Sequence, residues 1–307
     1  MQEMSYATIN TILTQTKMLG GKKIDITGGE PTLRKDYLHI IKRAKDLAYA
    51  VELVTNASLL DSQQILKLKQ LHIDNIAVSL DGPDYETYTK IRRVAPAQYE
   101  QVIENIKEIR RQDIALKTNI LAWEENFTSI PRILEQGIAY TAIEQGIYYF
   151  TPIGRGTREH IASIDPITWL AFIRHELATY TNKTKISLEI PLLERERVNA
   201  LHTKGKDTRC ILYTEPSHLQ ILPDGNIYPC AIMAHHGIPL SNIYQKDITR
   251  IWDDREQWIN YRERFDQEIF SRYQGCVAFN NRYLEYIASG KYLPVCPLRK
   301  FSIDEII

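Results

Sequence analysis

Ile24-Asp25-Ile26-Thr27-Gly28-Gly29-Glu30-Pro31 is the stretch on which the reading of this chain turns. It reads as a buried strand ending in two glycines, where backbone N–H groups can approach a ligand closely, followed by a carboxylate and a chain-turning proline. Alone it reads equally well as an ordinary strand end turning into a helix. The sequel adds weight: further strand ends fall at Val54-Thr55-Asn56, Val78-Ser79-Leu80-Asp81-Gly82, Thr118-Asn119 and Thr151-Pro152-Ile153-Gly154-Arg155-Gly156.

Around these strand ends, residues 1 to about 160 alternate short apolar runs with amphipathic segments, the pattern of βα units around a parallel sheet. The spacing predicts helices near 5–19, 35–49, 61–71, 98–112 and 127–137, and strands near 23–27, 51–55, 75–80, 114–121 and 146–151. The first element is thus a helix, with Ile9, Ile12, Leu13 and Leu19 on one side and a Gly20-Gly21 stop. A crossover helix normally follows a strand of its own sheet, so the strand ending at Thr27 is expected at an edge that is apolar and unprotected, or paired with something absent. Residues 166–181 read as another helix, with Pro166 in its first turn, and Leu188 to about His202 as a bridge. From Cys210 onward the strands shorten, with a hairpin turn at Pro223-Asp224-Gly225-Asn226.

Composition narrows the class. At 44% hydrophobic and 25% charged, 307 residues suffice for one barrel-sized core and a smaller module. Lys+Arg and Asp+Glu both number 38, so bulk charge offers nothing to nucleic acid. No apolar run is long enough to span a bilayer, and Met1-Gln2-Glu3 lacks the start of a signal peptide; the expected compartment is the cytoplasm. All four cysteines lie beyond position 209, which in a reducing compartment points to metal rather than to a disulfide framework.

The succession of strand ends resembles the radical S-adenosylmethionine (SAM) superfamily, and the C-terminal third resembles its SPASM branch. The resemblance implies an α/β fold: a partial (β/α)6-type barrel lacking its first strand, over 1–185, a bridge over 186–209, and a small SPASM/twitch-like α+β domain over 210–307. It implies that Gly28, Gly29 and Glu30 meet the methionine amino group, that Ser79 and Asp81 approach the ribose hydroxyls, and that Arg92 faces the SAM carboxylate. Asn56, Asn119 and the Gly154-Arg155-Gly156 turn complete the implied pocket, the last along the adenine. Each has a plainer alternative: Asp81-Gly82-Pro83 as a turn, Arg92 as a solvated helix residue, Asn56 and Asn119 as caps.

One departure is sharp. The family holds its radical-generating [4Fe–4S] cluster on a CxxxCxxC loop after the first strand, and here no cysteine precedes Cys210. Either the chain is the remainder of a longer protein or it is a cluster-less relative; the orphan first helix and the apolar strand edge favour truncation.

Cys210, fourteen residues, Gly225, four residues and Cys230 resemble the opening of a SPASM domain, Gln274-Gly275-Cys276 the end of its cysteine run, and Pro294-Val295-Cys296-Pro297 its last cysteine. By this resemblance Cys210, Cys230 and Cys276 are ligands of a first auxiliary [4Fe–4S] cluster, while Cys296 survives alone from a second, or rearranges to serve the first. Four metal-free, half-buried thiols and a zinc site are the alternatives.

The implied function is a SAM-dependent peptide or protein maturase with an electron donor and a separate leader-recognition partner, unable as given to cleave SAM. The rival is a non-catalytic protein that binds peptide or SAM.

Overall fold

The computed structural model describes residues 3–151, 162–206, 208, 210–213, 217–267, 281–296 and 299–307. These fall into two compact units, Tyr6–Tyr148 with His175–Leu188, and Tyr149–Arg174 with Glu189–Ile307 and Met1–Ser5.

The first unit alternates α1 (Tyr6–Met18), β1 (Lys23–Ile26), α2 (Tyr37–Asp46), β2 (Ala50–Thr55), α3 (Ser62–Gln70), β3 (Asn75–Ser79), α4 (Tyr85–Arg92), α5 (Pro96–Arg111), β4 (Leu116–Ala122), α6 (Ile130–Ala139) and β5 (Glu144–Tyr149). The sixth strand, β6 (Ile186–Leu188), follows α7 (Pro166–His175). The six strands form one curled half-barrel sheet in chain order, the α/β fold expected from the sequence. Because strand side chains alternate, one face carries the apolar set Val51, Leu53, Ile76, Val78, Leu116, Ile120, Ile147 and Leu188, each 0% exposed. The other face is polar at its N-terminal end. There Glu52 accepts from Lys117 at 2.8 Å and Lys23 at 3.3 Å, and Glu144 accepts from Lys185 at 3.0 Å.

Three features differ from expectation. β1 is indeed the edge strand, but its edge is not simply apolar: the strand is four residues long, and Lys23 and Asp25 are exposed and paired at 2.8 Å while Ile24 and Ile26 are half-buried. Short, charged strands are how natural sheets blunt an edge. The sheet continues to Leu188, past the boundary expected at 185. Helix α4, absent from the predicted helix spans although Arg92 was read as a possible helix residue, contains two β-branched threonines and is held by the Asp84 cap on Thr87 N at 2.9 Å and by packing on Gly82, where a Cβ would stand 2.3 Å from the Tyr88 nitrogen.

In the second unit the expected bridge is structured: β7 (Leu192–Glu194) and α8 (Arg195–Thr203) lie within it. A three-stranded antiparallel sheet follows, β8 (Gln220–Ile221), β9 (Asn226–Tyr228) and β10 (Ser241–Asn242) in the order β10-β9-β8. The hairpin turn lies where the sequence places it, with Gly225 at φ +83° against the Tyr244 ring. After α9 (Ala231–His236), α10 (Ile248–Asp253), α11 (Arg255–Phe265) and α12 (Asn281–Ala288), β11 (Tyr292–Pro294) returns antiparallel to β7.

Candidate functional site: strand ends and a group of thiols

The C-terminal ends of β1 to β4 bring most of the sequence-derived residues to one end of the sheet. Gly28 has φ +149°, a conformation that favours glycine, and no atom of the described residues lies within 4 Å of where a Cβ would stand on Gly28 or Gly29. The backbone there is exposed and open to a ligand.

Glu30, expected to meet the methionine amino group, is largely engaged within the chain. Its Oε1 accepts from Thr32 N (3.1 Å), Thr32 Oγ1 (2.6 Å) and Thr55 Oγ1 (2.7 Å), and its Oε2 from Asn56 N (2.8 Å). A carboxylate offers about four lone-pair sites, two per oxygen, so Oε1 is fully used and Oε2 keeps room for one more donor. The carboxylate therefore ties the β1 loop to the end of β2 and sets the course of the diglycine. Asn56 is half turned to this task, its Oδ1 accepting from Ser58 N at 2.8 Å.

Ser79, the last residue of β3, and Asn119, midway along β4, are register partners, and so share the polar face. Gly146 on β5 makes room beside them, since a Cβ there would come 3.1 Å from Asn119 Oδ1 and 3.0 Å from the Tyr148 ring.

Asp81, read in the sequence as approaching the ribose hydroxyls, is 0% exposed; its Oδ1 accepts from Leu121 N at 2.7 Å, and its Oδ2 takes the Arg92 Nε. Each oxygen thus has one internal donor, and Asp81 holds Arg92. The Asp81 carboxylate raises the Arg92 pKa further, keeping the guanidinium charged. Arg92, 32% exposed, pairs through Nε, and the described residues supply no partner for its Nη groups. Burial pushes the Tyr88 hydroxyl beside them up to about 12. Asn126, missed in the sequence, is fully buried and donates to Asp81 O at 3.0 Å and Leu121 O at 2.8 Å. Its only signal was the spacing Trp123-x-x-Asn126, a side-chain turn in which Asn126 Oδ1 accepts from Trp123 N at 2.9 Å. Gly154 and its turn lie outside the described residues, as does Cys276.

In the second unit Cys230 is buried at the N-cap of α9, Cys296 is buried beyond β11, and Cys210 is half-buried. The Cys210 thiol is hydrogen-bonded to that of Cys296, and this contact, with burial and the nearby Cys296 and Cys230, pushes it up. Among the described residues no three His, Cys, Asp or Glu side chains already stand around one point as ligands of a metal do. The thiols are gathered, not yet arranged.

Residues 1–136 match the family model of the radical SAM superfamily, and residues 210–277 that of SPASM, an iron–sulfur cluster-binding domain. The chain belongs to the radical SAM superfamily, in the branch that carries a SPASM domain. In particular, it is 22% identical to an AdoMet-dependent heme synthase of Methanosarcina barkeri over 94% of this chain and 85% of that protein. It is 23% identical to a PqqA peptide cyclase of Granulibacter bethesdensis over 82% of this chain and 66% of the cyclase. The crystal structure of Streptococcus suis SuiB shares its fold with a TM-score of 0.69 at 17% identity, over 84% of this chain and 61% of SuiB. The chain thus spans about three-fifths of the length of that structural relative. Among the described residues no helix is long and apolar enough to cross a membrane.

Proposed function

We propose that the sheet end binds SAM and that the whole serves modification of a peptide or protein. The observation that carries this reading is the open diglycine at the end of β1, with Gly28 at positive φ, latched by Glu30 to the end of β2, beside the Ser79–Asn119 row. Gly28 and Gly29 let a ligand approach main-chain groups, and the remaining Glu30 Oε2 lone pair suits one donor such as an ammonium. Ser79 and Asn119 offer hydrogen bonds to a sugar, and the Arg92 Nη groups suit a carboxylate. SAM bound beside a reduced cluster supplies hydrogen-atom abstraction chemistry. These 307 residues carry no thiol before Cys210, so they do not themselves furnish the thiolates of that cluster, and what the barrel contributes is binding and orientation. Cys210 and Cys230 fit an auxiliary iron–sulfur cluster by donor chemistry, with Cys276 as the third thiolate implied by the family.

A peptide substrate is supported by the cyclase relative and by the fold shared with SuiB, whose structure is known bound to the precursor peptide SuiA. Calorimetry of the full chain with SAM tests the reading. Binding that Gly29→Val abolishes, while the melting temperature holds, is the expected result. Absence of SAM binding, or binding indifferent to Gly29→Val, overturns it. A tetrapyrrole-type substrate is the second reading, favoured by the fuller reciprocal coverage of the heme synthase relative.

A further inference from the structure

Among the described residues, six that are not glycine have a left-handed backbone. Five of them, Ala48, His72, Arg93, Asp113 and Thr141, fall within two residues after the ends of α2, α3, α4, α5 and α6, where helices commonly close in this way. Ala57, at φ +59°, is the exception: it follows a strand, β2, at the end of the sheet that carries the diglycine. It is 0% exposed, and its Cβ makes this conformation unfavourable. Such strain persists only where the surroundings over-determine it.

The residue that does so is Asn105. It lies inside α5 and is 3% exposed, although asparagine is a poor helix former. Its Nδ2 donates to Ala57 O at 2.8 Å and to Leu60 O at 2.7 Å, and its Oδ1 accepts from Gln101 Nε2 at 3.1 Å. An amide nitrogen, with two hydrogens, serves both carbonyls at once; aspartate or leucine, of similar shape, serves neither. Packing of α5 on the sheet alone calls for an apolar residue here, since a buried amide adds the cost of its own desolvation.

The effect of this clamp runs back to the ligand end. Ala57 N donates to Thr55 Oγ1 at 2.9 Å, which leaves the Thr55 hydroxyl proton for Glu30 Oε1 at 2.7 Å, and Asn56 N donates to Glu30 Oε2 at 2.8 Å. Were Ala57 to relax to an extended backbone, the peptide units beside it would turn, and with them two of the donors that fix Glu30.

We propose that Asn105 is a positioning residue of the SAM site: by holding Ala57 in the left-handed region it sets Thr55 and Asn56 on Glu30, and so the course of the diglycine. This rests on the SAM-binding reading above.

The experiment measures SAM binding by calorimetry, and the melting temperature, for the full chain as the native sequence, Asn105→Ala, Ala57→Gly and the double variant. Asn105→Ala should bind SAM roughly tenfold more weakly, and Ala57→Gly, since glycine adopts this φ freely, should bind within about twofold of native. The double variant should recover most of the lost affinity while still melting below native, because glycine removes the strain but does not replace the two hydrogen bonds. A merely structural Asn105 predicts no such recovery. Native affinity in Asn105→Ala, or a loss that the double variant does not recover, overturns the inference and leaves SAM binding standing. A native chain that binds no SAM overturns the SAM reading and the inference together. Should Asn105→Ala not fold, Ala57→Val carries the test: valine, β-branched and disfavoured at this φ, should weaken SAM binding where Ala57→Gly does not, and equal affinity of the two overturns the inference.

Discussion

The strand ends of the sheet and the thiol group of the C-terminal module are both polar sites in apolar surroundings, and they are finished by different means. At the sheet end the chain answers its own polar groups: Glu30 receives four internal donors, and Asp81 receives Leu121 N and Arg92. Its geometry is complete when the protein folds. In the thiol group the partners of Cys210 include another thiol, that of Cys296. On the proposed reading, a bound cluster would supply there what the sheet end already has from its own chain.

If this contrast holds, the largest effect comes from breaking the internal pair. Asp81→Ala, which leaves Arg92 and Leu121 N without their carboxylate, should cost about 3–5 kcal/mol in urea unfolding. A cost as small as that of Cys230→Ala in the metal-free chain would erase the distinction between the regions. Next, Gly82→Ala drives a methyl into the Tyr88 backbone and should cost about 1–3 kcal/mol, with α4 displaced and Arg92 drawn from Asp81. Stability equal to the parent would mean that α4 does not depend on that approach.

Glu30→Gln keeps the shape of the latch but loses the charge that strengthens its four hydrogen bonds. About 1.5–3 kcal/mol should be lost, and SAM affinity with it, in paired unfolding and calorimetric titrations. Loss of stability with unchanged SAM binding would confine Glu30 to a structural task.

A pH test sharpens the same comparison within the second unit. Arg174 holds Glu194 by two hydrogen bonds of 2.7 and 2.8 Å, and this pairing, outweighing burial, lowers the Glu194 pKa from its ordinary 4.5. Since the folded value lies below the unfolded one, the stabilisation is fully present above about pH 4.5 and disappears as pH falls through the folded value. Glu194→Gln should therefore flatten the acid limb of stability against pH below that value, and an unchanged limb would remove the pair from the account. The smallest effect belongs to an exposed pair. Lys42→Ala, which removes the 2.7 Å contact with Asp46, should change stability by no more than about 0.5 kcal/mol.

Much of the sheet was legible because its signals are local. Apolar alternation located β1 to β5, and Pro223-Asp224-Gly225-Asn226 located the hairpin, since only glycine sits easily at the φ that Gly225 adopts. The diglycine and Ser79 were legible as strand ends for the same reason, whereas Asn119, read as one, lies midway along β4. β6, with three residues, is too short to show a period, and α4 owes its place to Gly82 beneath it.

By itself, then, the sequence determined the order of the elements, the side of the sheet each residue faces, and the residue types available for chemistry, because these follow from local periodicity and composition. Only the tertiary structure decided what those residues do. It turned Asp81 inward to hold Arg92, spent most of Glu30 on joining two strand ends, and fastened Cys296 to Thr208 beside Cys210. Each outcome depends on partners many residues away, whose hydrogen bonds and burial exist only once the chain has folded.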